Sequence, residues 1–498
     1  MSQKWWTEAS GNINRKTQAV IIGSGAGGAF AALTLAEAGM DVILLESGFQ
    51  VDMSNMPPKI SDSVASLYEE AGFRSAMGTP PCPIAGGRVL GGSTVINSAI
   101  CFQTPKATLA HWNELTAGMF PETDWYHRQD EIEQVMRVAT TPDGLLSGND
   151  MAHKKAAVTL GWEEGNIRRN TPACAGCGRC NVGCSVSGKF SVDREILPRA
   201  VAAGATVYTG ATVTRVAENT VIGLCHSPDG KAVGQIEIDA DAVIMAAGSI
   251  GTPQLLLESN VAPNNPHIGQ GLHIHPVISI WGILPEAVYA RGATQGHYVD
   301  QFSEDWVLLE SNPILLGAFY QGFPLFGLET KEIMKKAPQM VTTGALVRDT
   351  SEGTVGPRQN GTAQIDYKLN DLDRTRLIKG LHAGAELWFE GANAEIVSPS
   401  TFGAKLCRNL DEYRRNVPLD LPAERLTIYS SHPQASCRVG RALDQNNKLK
   451  GTSSIYVMDA SALPSNVGRN PQISVMTFAR MQAEKLAHHF GYGPKPLI

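Results

Sequence analysis

The stretch Thr17 to Gly48, TQAVIIGSGAGGAFAALTLAEAGMDVILLESG, decides the fold. Ala19 to Ile22 is an apolar run of the length and composition of a buried parallel strand. Gly23, Gly25 and Gly28 follow at G-x-G-x-x-G spacing, and Ala29 to Ala38 is an Ala/Leu-rich helical run stopped by Gly39. Val42 to Leu45 is a second buried strand ending at Glu46. In such a unit the first glycine turns the chain off the strand, the second admits a pyrophosphate, and the third lets helix and strand pack closely. The helix N-terminus then offers free N–H groups and a partial positive charge to phosphate. Glu46, 18 residues past Gly28, stands where a carboxylate accepts ribose hydroxyls, which favours FAD or NAD over NADP.

At 498 residues the chain exceeds one ordinary core, so two domains, interleaved or not, are expected. Apolar residues at 43% and charged ones at 18% are a normal globular composition. Lys and Arg number 42 against 48 Asp and Glu, and no basic tract stands out, which argues against nucleic acid or an anionic membrane as partner. The opening MSQKWWTEASGNINRK lacks a signal peptide's apolar core, no twin arginine is present, and no stretch has the apolar length of a membrane span. A cytoplasmic protein is expected, with export alongside a partner left open.

Val51 to Pro83 is polar and Pro-punctuated, an excursion from the dinucleotide unit. In the following IAGGRVLGGSTVINSAICFQTP, Gly86, Gly87, Gly91 and Gly92 precede Ser93, Thr94 and Asn97, which suits backbone pressed against a flat or phosphate-bearing ligand, or else a bulged hairpin. Thr108 to Val138 reads as largely helical, with Trp112, Leu115, Trp125, Ile132 and Val135 as core. Nine cysteines are an odd count, and four fall within eleven residues, so a reducing compartment and a local function fit better than a disulfide framework. Cys174, Cys177, Cys180 and Cys184 stand as C-x2-C-x2-C-x3-C, a ligand spacing of iron–sulfur loops ([3Fe-4S] or [4Fe-4S]), although no proline follows Cys184. A structural zinc or a metal-free loop are the alternatives.

From Arg194 the α/β pattern returns: a helix at Glu195 to Ala203 and strands at Ala205 to Tyr208, Val213 to Val216, Gln235 to Ile238 and Ala242 to Ala246. A helix TPQLLLES then follows Gly248, with Pro253 in its first turn. Gly282 to Pro422 mixes aromatics with alternating runs at Trp306 to Leu309 and Ala363 to Tyr367 and a helix at Asp371 to Gly391. This suits an antiparallel sheet walling a pocket, and the aromatics Trp281, Trp306, Phe319, Tyr320, Phe323, Phe326, Trp388 and Phe389 hint weakly at an apolar or ring-bearing substrate. The tail carries His432 in SSHPQASCRVGR, Asp459 at the end of a strand, and Asn470-Pro471 heading an amphipathic helix. Asn470 as N-cap with proline at the first helical position is the plain reading there. That helix start is also a place to stabilise negative charge.

Six segments in order, AVIIGSGAGG with Glu46, GGRVLGGSTVIN, AAGSIGTPQLLLES, GLHIHP, SSHPQASCRVGR and YVMDASALPSNVGRNPQ, resemble the glucose–methanol–choline (GMC) oxidoreductases, which are FAD enzymes. The cysteine loop is similar to that of cholesterol-oxidase-like, long-chain alcohol oxidase and iron–sulfur sugar dehydrogenase members. The resemblance implies an α/β fold, α+β overall: a Rossmann-like FAD-binding domain from 17–110, 190–281 and 425–498, a substrate domain at 282–424 with an antiparallel sheet and covering helices, and a helical excursion at 111–189 bearing the cysteines. It implies that Gly23, Gly25, Gly28 and Glu46 hold the ADP half, with Gly91, Gly92, Ser93 and Asn97 along the pyrophosphate and flavin. The Val213 backbone would meet the adenine, and Asp459, Ala460 and Pro471 would sit by the flavin. His432 and Asn470 match the family's catalytic pair, while His273 and His275 fall in a motif read as structural. The chain departs from the family at Gln434-Ala435-Ser436, where members more often carry Gly-Thr, and no histidine in Gly91 to Asn97 offers a covalent flavin link.

The expected chemistry is oxidation of a small-molecule alcohol. His432 would take the hydroxyl proton, its imidazole titrating near neutrality, Asn470 would bond the oxygen as alkoxide character develops, and flavin N5 would take the hydride. A cluster in the cysteine loop would favour a dehydrogenase passing electrons to an acceptor protein or small subunit. An oxygen-using oxidase, a flavin lyase or decarboxylase, and a non-catalytic electron-transfer subunit are the rivals.

Overall fold

Distant pieces of the chain build one eight-stranded sheet. Its order is Thr7–Glu8, Thr206–Thr209, Val42–Glu46, Ile13–Ile22, Ala232–Met245, Thr220–His226 and Ala211–Ala217, with Ile455–Val457 pairing beside the end of Ala232–Met245. The computed structural model describes residues 5–57, 59–288, 291–303, 306–312, 327–359, 361–403 and 405–497. Phe319, Tyr320, Phe323 and Phe326 lie outside them. The strands around the glycine turn are all parallel: Ala19 to Ile22 lie between Val42 to Leu45 and Ala242 to Met245, and Val243 to Met245 run beside Ile455 to Val457. A central parallel strand needs apolar residues on both faces, and Ala19, Val20 and Ile21 are fully buried.

Two strands differ from the sequence reading. The first begins at Ile13, and Gln235 to Ile238 and Ala242 to Ala246 merge into one strand, Ala232–Met245. The merger follows from alternation: the first half of that strand buries every second residue as an antiparallel partner of Thr220–His226, and the second half is buried throughout beside parallel neighbours. The helix Ala26–Glu37 is buried from Gly27 to Ala36, between the sheet and the helices Ile196–Ala202 and Gln472–His489. A small-residue helix of that kind can be surrounded on all sides.

A second sheet of seven strands runs Ile396–Pro399, Val277–Ile283, Met340–Val347, Val307–Ser311, His297–Val299 and Glu164–Asn166, with Ile428–Tyr429 beside Val277–Ile283. It is antiparallel, as expected, and the helix Asp371–Glu386, continuing as one π turn to Gly391, covers it. The expected boundary at Gly282 falls inside one of its strands, and Glu164–Asn166 joins it from the excursion. The excursion's helices are Lys106–Thr116, Glu122–Val135 and Gly148–Leu160. Trp112, Trp125 and Ile132 are fully buried there, but Leu115 is 50% exposed, since Lys106–Thr116 has solvent on that side. Pro253 also lies deeper than expected, in the second turn of Gly248–Ser259, because that helix begins four residues before Thr252.

Candidate active site

The glycine turn is shaped by contacts that leave no room for side chains. A Cβ on Gly28 would stand 2.0 Å from the Gly23 carbonyl oxygen, and one on Gly27 would stand 2.0 Å from that of Met458. Gly23 takes φ +105°, against Ala246. Gly25 heads Ala26–Glu37 without a side-chain cap and has nothing within 4 Å of its Cβ position, so the first N–H groups of the helix stand beside open backbone. Gly92 faces it, its Cβ position 3.0 Å from Gly25 Cα, and the Gly91 N–H donates to Ser24 Oγ at 2.9 Å. Two glycine turns thus meet at a helix N-terminus, a cradle that fits a pyrophosphate.

The other expected cofactor residues surround this cradle. Glu46 is buried at its strand end, one carboxylate oxygen accepting from Ser24 N–H and Oγ–H at 2.9 and 2.6 Å and the other from Gly48 N–H at 2.7 Å. Ser93 Oγ accepts from Gly87 N–H at 3.1 Å, and Asn97 donates to Gln472 Oε1 at 3.0 Å, tying this loop to the C-terminal helix. Val213 lies in the edge strand, next to a register shift. Asp459 is buried with four donors on its carboxylate, from Gly248, Thr252 and the N–H and hydroxyl of Ser461. Its carboxylate is committed to holding the chain, and burial outweighs those bonds to raise its pKa. The Ala460 carbonyl accepts from Ala435 N–H at 2.9 Å, which fastens the His432 segment to that turn. Ala435, at the place where the family more often has glycine, adopts φ +68°, a left-handed conformation that costs an alanine roughly 1–2 kcal/mol.

His432 and Asn470, 38 residues apart, come together: His432 Nε2 and Asn470 Nδ2 are 3.5 Å apart. Asn470 is not a cap. The helix runs Gln472–His489 with Pro471 in the capping position and no side-chain bond to its first turn, so the amide is free to face His432. Asn470 Oδ1 is buried with no partner. His432 is partly buried, and loss of solvent pulls its pKa down to about 4, not the near-neutral value expected. It is therefore a neutral imidazole at physiological pH, able to accept a proton.

Two neighbours complete the group. His275 Nδ1 lies 3.0 Å from His432 Nδ1, and burial holds its pKa well below the ordinary histidine value. Glu310, on Val307–Ser311, is 1% exposed and accepts from Gln295 at 3.3 Å, with Asn470 close enough to act on its charge. Burial raises its pKa to about 7, against the pull of Asn470 and Arg469. Arg469 is occupied with Asp300 at 2.5 Å. The second Glu310 oxygen, Oε1, is buried without a partner. Nothing in the sequence singled out Glu310, because a lone glutamate in a strand is ordinarily a solvent-facing residue; the one available signal was its place in a strand otherwise buried from Val307 to Ser311.

Two family profiles described as GMC oxidoreductase match residues 64–277 and 349–479, and one described as FAD binding domain matches 18–55. An uncharacterized GMC-type oxidoreductase of Mycobacterium tuberculosis is 34% identical over 94% of this chain and 76% of its own. The chain belongs to the GMC oxidoreductase family. A long-chain-alcohol oxidase of Arabidopsis thaliana is 28% identical over 95% of this GMC oxidoreductase and 68% of its own length. The crystal structure of a pyridoxine 4-oxidase from Mesorbium loti superposes with TM-score 0.69 at 19% identity, over 95% of this chain and 99% of the other. An Aspergillus oryzae formate oxidase does so with TM-score 0.73 at 16% identity, over 97% and 99%. Those structures show the shared fold. This GMC oxidoreductase is an FAD-dependent enzyme, and the cradle at Gly25 and Gly92 fits that cofactor.

The cysteine loop of this GMC oxidoreductase departs from expectation. Cys174, Cys177, Cys180 and Cys184 all border one cavity, with Lys189 and Thr294. Among the described residues no three His, Cys, Asp or Glu side chains gather as metal ligands. Cys180 and Cys184 are buried, Cys174 is half-buried and Cys177 is exposed. The iron–sulfur cluster is therefore not supported. The loop is anchored instead by two buried cations. Arg169 donates to Ser98 O at 2.8 Å and to Cys180 Sγ at 3.1 Å; Lys189 donates to the carbonyls of Val95, Asn97 and Cys180 at 2.6, 2.9 and 3.0 Å. Burial would raise the Cys180 pKa, but Arg169 and Lys189 together turn the shift downward. Among the described helices none is long and apolar enough to cross a membrane.

Proposed function

We propose that this protein oxidises a small-molecule alcohol at its CH–OH carbon. The observation that carries the reading is the meeting of His432 and Asn470, 3.5 Å apart, in a family whose members are FAD oxidoreductases. His432 Nε2 takes the hydroxyl proton. Asn470 Nδ2–H donates to the same oxygen and stabilises it as it gains charge. Bound FAD supplies a hydride acceptor at its N5. Gly23, Gly25, Gly28, Gly91 and Gly92 hold its pyrophosphate, Glu46 and the Val213 backbone its adenosine, and Ser93, Asn97, Asp459, Ala460 and Pro471 its flavin half.

The imidazolium formed at His432 is partly buried, and the Glu310 carboxylate near Asn470 offsets its charge when ionised. Dioxygen is the electron acceptor in this reading, supported by the name of the Arabidopsis thaliana relative, a long-chain-alcohol oxidase. The residues 17–110, 190–281 and 425–498 serve as the cofactor unit, and 282–424 as the substrate unit. The test is an anaerobic titration of the yellow protein with a panel of primary alcohols of graded length and ring content. The flavin band is expected to bleach with one class and to return on admission of air. No bleaching with any alcohol sinks the reading; bleaching that returns only with an artificial acceptor replaces oxidase by dehydrogenase.

A further inference from the structure

We infer that His275 is a positioning residue that locks His432 in the tautomer carrying its proton on Nδ1, leaving Nε2 bare towards Asn470. The inference rests on the reading of His432 as the base.

The two Nδ1 atoms are 3.0 Å apart and the rings 5.1 Å between centroids, so one proton lies between two nitrogens and only one ring can supply it. The chain decides which. The side-chain nitrogen of Asn470, Nδ2, can only donate a hydrogen bond. The same Nδ2 is the atom nearest His432 Nε2, so Nε2 must present a lone pair: two donors there would face each other. His432 then carries its proton on Nδ1 and donates to His275 Nδ1. His275 keeps its own proton on Nε2, which is buried without a partner. One polarity therefore runs from Asn470 through His432 to His275, and an alcohol entering between Asn470 and His432 meets a donor on one side and a base on the other.

The backbone supports this assignment. His275 sits at φ +51°, a conformation disfavoured for histidine, and is fully buried. Asp349 holds it there, accepting from the N–H groups of Ile274 and His275 at 3.0 and 3.2 Å. A ring kept in a strained place with one nitrogen on His432 and the other unsatisfied does more than fill space.

The holoenzyme, labelled with 15N-histidine, reports the tautomer directly in long-range proton–nitrogen NMR spectra, the His432 signals being assigned by their loss in His432→Gln. In the unsubstituted protein the His432 proton is expected on Nδ1. His275→Leu removes the acceptor, and the His432 signals should move towards a mixture of tautomers. Flavin reduction should fall roughly 10- to 100-fold with FAD content and KM unchanged, the scale typical when an orienting partner is lost. His275→Asn restores an acceptor near the Nδ1 position and should recover most of the rate. A His432 proton on Nε2 in the unsubstituted protein overturns the inference, even if the variants fail to fold. So does a His275→Leu spectrum unchanged at His432, or an Asn variant as slow as the Leu variant. If no alcohol bleaches the flavin, the proposed activity falls while the spectrum still decides the tautomer.

Discussion

The C-terminal tail and the cysteine loop make opposite use of buried charge. At the tail, His432 and Asn470 face a buried carboxyl, Glu310, whose Oε1 has no partner and whose nearest cation is engaged by Asp300. In the loop, Arg169 and Lys189 are each 2% exposed and bond to carbonyls and a thiol, and among the described residues no carboxylate is in bonding distance of either. The loop's cations hold the Val95, Asn97 and Ser98 carbonyls, just past the glycines that face the helix N-terminus. The difference teaches which region works and which supports. At the tail the unsatisfied oxygens of Glu310 and Asn470 lie beside the candidate base, whereas in the loop Lys189 has all three N–H bonds filled and marks a clamp, Arg169 keeping only its Nη1 unpaired.

The comparison breaks first if the tail is not the reactive region. His432→Ala is expected to retain FAD and slow flavin reduction by roughly 10²–10⁴-fold, the contribution of a positioned base. Stopped-flow reduction under nitrogen measures it. An alanine variant within threefold of the parent would move the chemistry elsewhere.

Lys189→Met tests the clamp. It leaves the carbonyls of Val95, Asn97 and Cys180 without their donor, and an unsatisfied buried acceptor costs roughly 1–3 kcal/mol, so a stability loss of about 3 kcal/mol is expected. FAD should also dissociate more readily, since the Gly91 to Asn97 segment loses an anchor. Denaturant titration and flavin fluorescence on dilution give both values. Unchanged FAD retention in a folded variant would mean that the loop and the cradle are independent.

How much of this was legible depended on how local each determinant is. The glycine turn could be read directly because strand, turn, helix and acid all lie within Thr17 to Gly48 and each residue's role follows from sterics. Trp306 to Leu309 did overlap a strand of the antiparallel sheet, though one buried at every position and not alternating, while Ala363 to Tyr367 lies in a separate five-stranded sheet. Motif order brought out His432 and Asn470, but the role of Asn470 as a cap was misread, because the choice between Asn470 and Pro471 as helix start depends on where the chain enters from Arg469, and that is held by Asp300, 169 residues away. Glu310 was invisible because its environment comes from three other segments. The cysteine spacing left cluster, zinc and metal-free loop open. Spacing says which thiols are near one another along the chain, not how the loop folds them, and the loop turns at Gly176, Gly178 and Gly183, all with positive φ.

Glu310→Gln sharpens the comparison by removing the tail's buried carboxyl. With a folded-state pKa of about 7 against an ordinary 4.5, the protonated form is favoured by folding. Its stabilising effect is complete below pH 4.5 and is lost as pH rises through 7, amounting to about 3 kcal/mol. The difference in unfolding free energy between pH 5 and pH 8 should therefore be smaller in Glu310→Gln than in the parent by about that amount. Buried His275 and His432 titrate with the opposite sign, losing stability as pH falls, and their contribution cancels when the two proteins are compared. Parallel pH curves would show that Glu310 is solvated in the holoenzyme.

The smallest effect falls on the residue that the spacing made conspicuous. If the four cysteines formed one thiolate centre, Cys177→Ser would remove a ligand and cost as much as Lys189→Met. The structure leaves Cys177 exposed, outside the bonds from Arg169 and Lys189, with its backbone bridged to Gly292. A serine has the same shape and keeps that bridge. Stability is expected to change by no more than about 0.5 kcal/mol, as for surface substitutions away from packed or bonded groups. FAD content, the rate of flavin reduction and the visible spectrum should all stay as in the parent, and the parent should carry no stoichiometric iron by elemental analysis. A bleached shoulder beside the flavin band, or iron lost along with the thiol, would put an electron carrier in the loop and make the two regions partners in one transfer.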